Sequence, residues 1–276
     1  MTTGFVEFVS LMYKPFLACL ILTGIHAYLG MHVVERGVIF VDLALAQIAA
    51  LGATIGFLMG LGLHSRADYL FSLGFTFMGA VIFALTRFRK QKVPQEAIIG
   101  IVYAVSAAAA ILILSRAPGG SDEIKEFLVG NVLLVDWPEI RYTFAVYAVI
   151  GFIHWLFRKQ LFLISSDPQE AFDKGMAVRS WDLLFYTTFG FVVTSSVQIA
   201  GVLLVFSFLV VPAVCAVLLT ENPGKRLWTG WVLGTLTSMV GVTLSYFGDL
   251  PTGATVVCCF GVLLAFVGIF KIVWRS

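Results

Sequence analysis

Residues 200–219 read AGVLLVFSFLVVPAVCAVLL, a stretch without a single charge. An α-helix rises 1.5 Å per residue, so about 20 apolar residues are needed to cross the roughly 30 Å hydrocarbon layer of a bilayer. This stretch meets that length and predicts a transmembrane crossing. Eight further apolar runs surround it: Phe16 to Val34, Val38 to Leu63, Tyr69 to Thr86, Gln95 to Leu114, Tyr142 to Phe157, Leu183 to Val197, Leu227 to Phe247 and Thr252 to Val273. Polar punctuation separates most of them, at Glu35-Arg36, His64 to Asp68, Arg87 to Lys92, Arg116 to Arg141, Arg158 to Asp182, Glu221 to Arg226 and Asp249. The weak boundary is at Gln198. There, Leu183 to Leu219 reads either as two crossings or as one crossing plus a broken half-helix. The predicted fold class is all-α, a polytopic transmembrane helix bundle of eight or nine crossings.

Composition agrees with this reading. Of 276 residues, 59% are hydrophobic and 12% charged, whereas a soluble domain carries about 25% charged residues. So little polar surface cannot cover a globule in water, and the apolar excess must face lipid. The chain is expected to form a single transmembrane domain over residues 1–276, with no room for a soluble one and no removable signal peptide. Its net charge of +2 gives no nucleic-acid footprint. Cys19, Cys215, Cys258 and Cys259 lie inside apolar runs without paired spacing and read as small hydrophobes.

Basic residues orient the bundle. With nine crossings, Arg36, the cluster Arg87, Arg89, Lys90 and Lys92, then Arg158, Lys159, Lys174 and Arg179, then Lys225 and Arg226, and finally Lys271 and Arg275 all fall on one side. That side is expected to be the cytoplasm, which leaves the N-terminus outside. Two connections are too long to be simple links. The outer one holds an amphipathic segment near 122–138, expected to form a short surface or re-entrant helix. The inner one holds SDPQEAFDKG at Ser166 to Gly175. Ser or Asp as cap, Pro at the first helical position, an early Glu and a terminal Gly predict a short cytoplasmic helix near 166–176.

Polar groups at membrane depth are costly and therefore candidates for function. They are Asp42 and Gln47 on the second crossing, His26 on the first, and Gln198, Ser207 and Pro212 on the sixth-to-seventh segment. Each has a structural alternative: His26 as a bonded packing residue, Asp42 as a helix-start cap or as the partner of Arg36. Gly52, Gly56 and Gly60 form a small-residue stripe suited to close helix packing, and Gly230 and Gly234 repeat the pattern. Catalytic machinery is missing from the sequence. Gly224-Lys225 is followed by Arg226, and Leu219 stands where a phosphate-binding loop needs its first Gly. Neither HExxH nor GxSxG occurs. Such a chain must run on a gradient or borrow ATP hydrolysis from another subunit.

Four stretches together resemble the permease subunits of metal-uptake ABC transporters, the family handling zinc, manganese and iron(II). They are RGVIFVDLALAQIAALG at Arg36 to Gly52, EFLVGNVLLVDWPEI at Glu126 to Ile140, Asp167 to Gly175, and GVLLVFSFLVVP at Gly201 to Pro212 with the later Leu250-Pro251-Thr252-Gly253. The resemblance implies an ABC metal-importer permease in a bacterial cytoplasmic (inner) membrane. Asp167, Pro168, Glu170, Ala171 and Gly175 would belong to a coupling helix that docks on a separate ATPase subunit. A second permease copy and a periplasmic or surface metal-binding protein would complete the assembly. The divalent metal is then cargo, no cofactor is held tightly, and ATP is bound by the partner.

One position departs from the pattern. The family places Asp and His four residues apart on the second crossing, thought to contact metal. Here Asp42 keeps the Asp, Gln47 stands for the His, and one extra residue lies between. Five residues separate side chains by about 140° on an α-helix, and a π-bulge would realign them. The competing function classes are a gradient-driven secondary transporter, a permease for a metal chelate, and an intramembrane enzyme, for which paired catalytic groups are lacking.

Overall fold

The computed structural model describes residues 2–61, 65–88, 93–115 and 132–275. Among them there are helices and no strands. The helices are α1 (Thr2–Arg36), α2 (Val41–Leu58), α3 (Arg66–Leu85), α4 (Gln95–Leu114), α5 (Trp137–Leu156), α6 (Arg158–Ser166), α7 (Pro168–Asp173), α8 (Val178–Leu219), α9 (Pro223–Gly248) and α10 (Thr252–Arg275). Seven described helices are long and apolar enough to cross a membrane, or eight when α5 and α6, bent by 77°, are taken as one broken span.

The difference from nine runs lies in α8. Leu183 to Val197 and Ala200 to Leu219 fall in one 42-residue stretch, in which two helices meet directly across a kink with no loop between them. Gln198 supplies no turn chemistry, and the junction falls three residues on, at Gly201 (φ 72°, ψ 162°), a conformation open to glycine because it lacks Cβ. A straight helix of that length would span about 63 Å, twice the roughly 30 Å hydrocarbon layer.

Local signals fix several boundaries. Ser65 caps α3 by accepting from the Asp68 amide at 3.1 Å. Asp136 and Glu139 cap α5 reciprocally, at 3.0 and 3.2 Å, so α5 starts at Trp137, ahead of the expected Tyr142. Of the external segment expected near 122–138, residues 122–131 lie outside the described residues. Val132–Leu134 form a 3-10 turn leading into α5. Asn222 caps α9 through the amides of Gly224 and Lys225 at 3.0 and 3.2 Å, so that glycine-lysine pair opens a helix.

The chain divides into two compact units. The first comprises Met1–Val34, Leu128–Tyr147 and Gln198–Ser276. Its helices pack on small residues. A Cβ on Gly30 would collide with the Leu209 carbonyl, one on Gly234 would meet Thr23 Cγ2 at 2.7 Å and Pro212 at 3.4 Å, and one on Gly241 would meet Val256 Cα at 2.8 Å. Phe208 packs edge-on against Phe260, and the Trp231 indole donates to the Gly24 carbonyl at 2.9 Å.

The second unit comprises Glu35–Phe127 and Ala148–Val197. Here Gly52 admits Phe75, Gly79 admits Ile48, and Gly190 admits Thr76, whose hydroxyl lies 3.1 Å from that of Thr194. Lipid is as apolar as leucine, so close van der Waals fit and interhelical hydrogen bonds hold such helices together. Exposed Ile101, Val105 and Leu112 on α4, and Val262, Phe266 and Ile269 on α10, present the apolar surface that the composition requires to face lipid.

Candidate functional site

The inner connection is more ordered than the sequence suggests. Residues 158–166, expected as loop, form α6, because Leu161 and Ile164 bury one face completely. Then follows α7, whose ends are both capped. Asp167 Oδ1 accepts from the Glu170 amide at 2.9 Å, and Pro168 takes the first helical position. At the other end Gly175 lies at φ 72°, its amide donates to the Phe172 carbonyl at 3.0 Å, and the Met176 amide donates to the Ala171 carbonyl at 3.1 Å. This is the Schellman pair of bonds, which favours glycine at the left-handed position. Glu170 and Lys174 pair one turn apart at 2.5 Å on the exposed face. The inner face rests on a small core of Ile164, Ala171 and Val178, flanked by Leu163, Phe172, Met176 and Trp181. A short exposed helix is thus held at both ends and along its underside.

Just beyond that core lies a buried ion cluster. Asp182, on the first turns of α8, meets Arg36 Nη1 at 2.5 Å and Arg87 Nε at 3.3 Å, with the Asp182 and Arg36 side chains wholly buried. Arg36 Nε donates to Ser165 Oγ at 2.8 Å, and its guanidinium lies 4.0 Å above the Phe185 ring. Arg87 donates to Gln95 Oε1 at 3.2 Å and to the Ile164 carbonyl at 3.4 Å, while Gln95 donates to the Phe83 carbonyl at 2.9 Å. The ends of α1, α3 and α6 and the beginnings of α4 and α8 therefore meet on one carboxylate. Sequence reasoning used Arg87 for orientation and Arg36 for orientation and as a possible partner of Asp42, and it passed over Asp182, Ser165 and Gln95. A charge in an apolar context was the one signal available for Asp182, and it stood at the edge of a polar loop.

The membrane-depth candidates separate into different environments. Asp42 lies in the first turn of α2 and is 2% exposed. Phe40 takes the cap position of α2 without a side-chain hydrogen bond, and Arg36 is bound to Asp182 rather than to Asp42. Asp42 Oδ1 is buried with no hydrogen-bond partner among the described residues. Gln47 is also buried, but α2 is an uninterrupted α-helix without a π-bulge, so the two side chains leave it about 140° apart.

His26 is fully buried, donating from Nδ1 to the Leu22 carbonyl at 2.8 Å and lying edge-on to Tyr147 at 6.0 Å. Ser207 donates to the Leu203 carbonyl at 2.9 Å, within its own helix. Pro212 is buried beneath Gly230 and Gly234, and Gln198 is exposed. Gly52 and Gly56 each face side chains at contact distance, whereas Gly60 lies in the turn after α2 at φ 84° with open space where a Cβ would go. No group of three His, Cys, Asp or Glu side chains among the described residues could hold a metal ion.

Comparison with known proteins gives this geometry its context. The model of the ABC 3 transport family matches residues 9–271. The chain belongs to the ABC 3 transport family. Family relatives include a manganese transport system membrane protein of Listeria monocytogenes, 25% identical over 90% of this chain and 86% of its own length. A Haemophilus influenzae protein named "Probable iron transport system membrane protein" is 27% identical over 89% of this chain and 85% of its own length. Among solved structures, a chain of PsaBC from Streptococcus pneumoniae in complex with Fab shares the fold with a TM-score of 0.77 at 20% identity, over 97% of this chain and 95% of that one.

Proposed function

We propose that this chain is the membrane permease of an ABC importer for a divalent transition metal, working in a bacterial cytoplasmic membrane as one of two copies. A separate ATPase subunit supplies ATP hydrolysis by docking on α7, and a metal-binding protein delivers the cargo from outside. The N-terminus then faces out, and the basic loops up to the first turn of α8, with Arg36, Arg87 and Arg158 to Arg179, face the cytoplasm. One observation carries the reading: a six-residue helix, capped at both ends, fixed on its own apolar core and exposed on its other face, in a chain of this family. An isolated helix that short has no stability in water, so the surroundings maintain its shape, as a docking element requires.

Manganese and iron head the range of cargo, with zinc after them. The relatives' names point to the first two. The donors at membrane depth on α2 are oxygens, from Asp42 and Gln47, and oxygen donors suit manganese better than they suit zinc, for which imidazole is the commoner partner. Asp42 is a transit contact: a buried carboxylate oxygen left open attracts a cation without the full ligand set that would trap it. Gln47, His26, Gln198, Ser207 and Pro212 are weaker candidates, His26 and Ser207 because each donates to a carbonyl of its own helix.

The test is co-purification and uptake. The ATPase partner should stay bound to the wild type and be lost from Ala171→Asp. Asp42→Ala should assemble normally yet lose radiolabelled manganese uptake by about a hundredfold, in the upper range of coupling effects. Uptake that persists without any ATPase subunit would rule the reading out in favour of a gradient-driven transporter.

A further inference from the structure

The residues that hold α7 in place differ from those that would touch a partner. We infer that Asp182, with Arg36 and Arg87, is the positioning group that makes the coupling helix move as one piece with the helix ends around it. The inference rests on the docking reading of α7 given above.

Both flanks of α7 end at this cluster. On the N-terminal side, Ser165 accepts from Arg36 and the Ile164 carbonyl accepts from Arg87. On the C-terminal side, Asp182 binds both arginines, and it lies one helical turn beyond Val178, which packs on Ile164 and Ala171. A push on α7 therefore reaches the end of α1 through Arg36, and the end of α3 and start of α4 through Arg87 and Gln95. The arrangement is directional as well as strong. The planar guanidinium groups donate in fixed directions, and Arg36 is clamped between a carboxylate, a hydroxyl and the Phe185 ring.

Pure structural support would not need this chemistry. Two arginines share one carboxylate, so the cluster carries one excess positive charge, and Arg36 Nη2 has no hydrogen-bond partner among the described residues. An apolar cluster of similar volume would stabilise a bundle at least as well, because desolvating charges offsets much of their attraction. What the ion cluster adds is a fixed geometry that apolar contacts lack.

The experiment uses the complete transporter, permease with ATPase and binding protein, reconstituted in proteoliposomes. It measures radiolabelled manganese moved per ATP hydrolysed. In Asp182→Asn, the ATPase should remain bound and ATP hydrolysis should continue, while manganese per ATP falls about tenfold, the size of effect expected along a coupling route. Asp182→Glu should recover part of the ratio. Arg87→Gln leaves a neutral Arg36–Asp182 pair and should lower the ratio about threefold while folding normally.

An unchanged ratio in assembled Arg87→Gln and Asp182→Asn overturns the inference, as does a loss of uptake that only follows loss of complex. Should Asp182→Asn fail to assemble, Arg87→Gln decides alone. If Ala171→Asp keeps its ATPase, the docking reading itself fails, and this inference with it.

Discussion

Arg36 and Asp42 stand six residues apart around one tight turn, and both side chains are buried. In sequence they look like a pair. In the structure they have opposite surroundings. Arg36 is bound by Asp182, Ser165 and the Phe185 ring. Asp42 keeps a carboxylate oxygen with no hydrogen-bond partner among the described residues. A charge in an apolar bundle must be answered by protein or left open for something else. The charge held in an ion pair belongs to the framework, and the one with an open Oδ1 is the candidate for cargo.

That contrast makes stability and transport separable. Asp182→Ala should have the largest effect on folding, because it strands two buried guanidinium groups. A loss of about 3–5 kcal/mol is expected, seen as a lower thermal unfolding midpoint in detergent. A midpoint within a degree or two of wild type would show that the cluster is not the framework element described. Asp167→Ala comes next. It removes one N-cap bond from an exposed helix and should cost about 1 kcal/mol, read as faster hydrogen exchange confined to α7. At the far end of the scale, Asp42→Asn should leave the unfolding midpoint unchanged or higher, since it removes a buried, incompletely satisfied charge. Uptake should nonetheless collapse. A strongly destabilised Asp42→Asn would place Asp42 with Arg36 in the framework and erase the comparison.

How much was legible depended on the range of the interactions involved. The segment Asp167 to Gly175 could be read in detail because Asp167, Pro168, Glu170 and Gly175 act on neighbours a few residues away. The crossings were legible because apolar length is local too. The form of the break in α8 was not, since polar Gln198 suggests a turn while the two helices meet in a kink at Gly201. Nor was the ion cluster, whose Arg36 contacts span 129 and 146 residues. Hydropathy also does not reveal which apolar runs are interior. The apolar window of α4 has the higher mean hydropathy, 2.6 against 1.8 for α2, yet 17% of it is buried inside the protein against 67% for α2.

By itself, the sequence determined that this chain lies in a bilayer, about where it crosses, and that a short polar helix with good caps interrupts the crossings on one side. Length, charge and turn chemistry suffice for that, because lipid forces every backbone group to be satisfied within its own helix. Only the tertiary structure decided which charges are answered and which are not. Partners for Arg36 come from distant turns brought together by close packing on small residues, and no local pattern encodes that meeting. That Asp42 Oδ1 has no hydrogen-bond partner among the described residues became visible only with its neighbours in place.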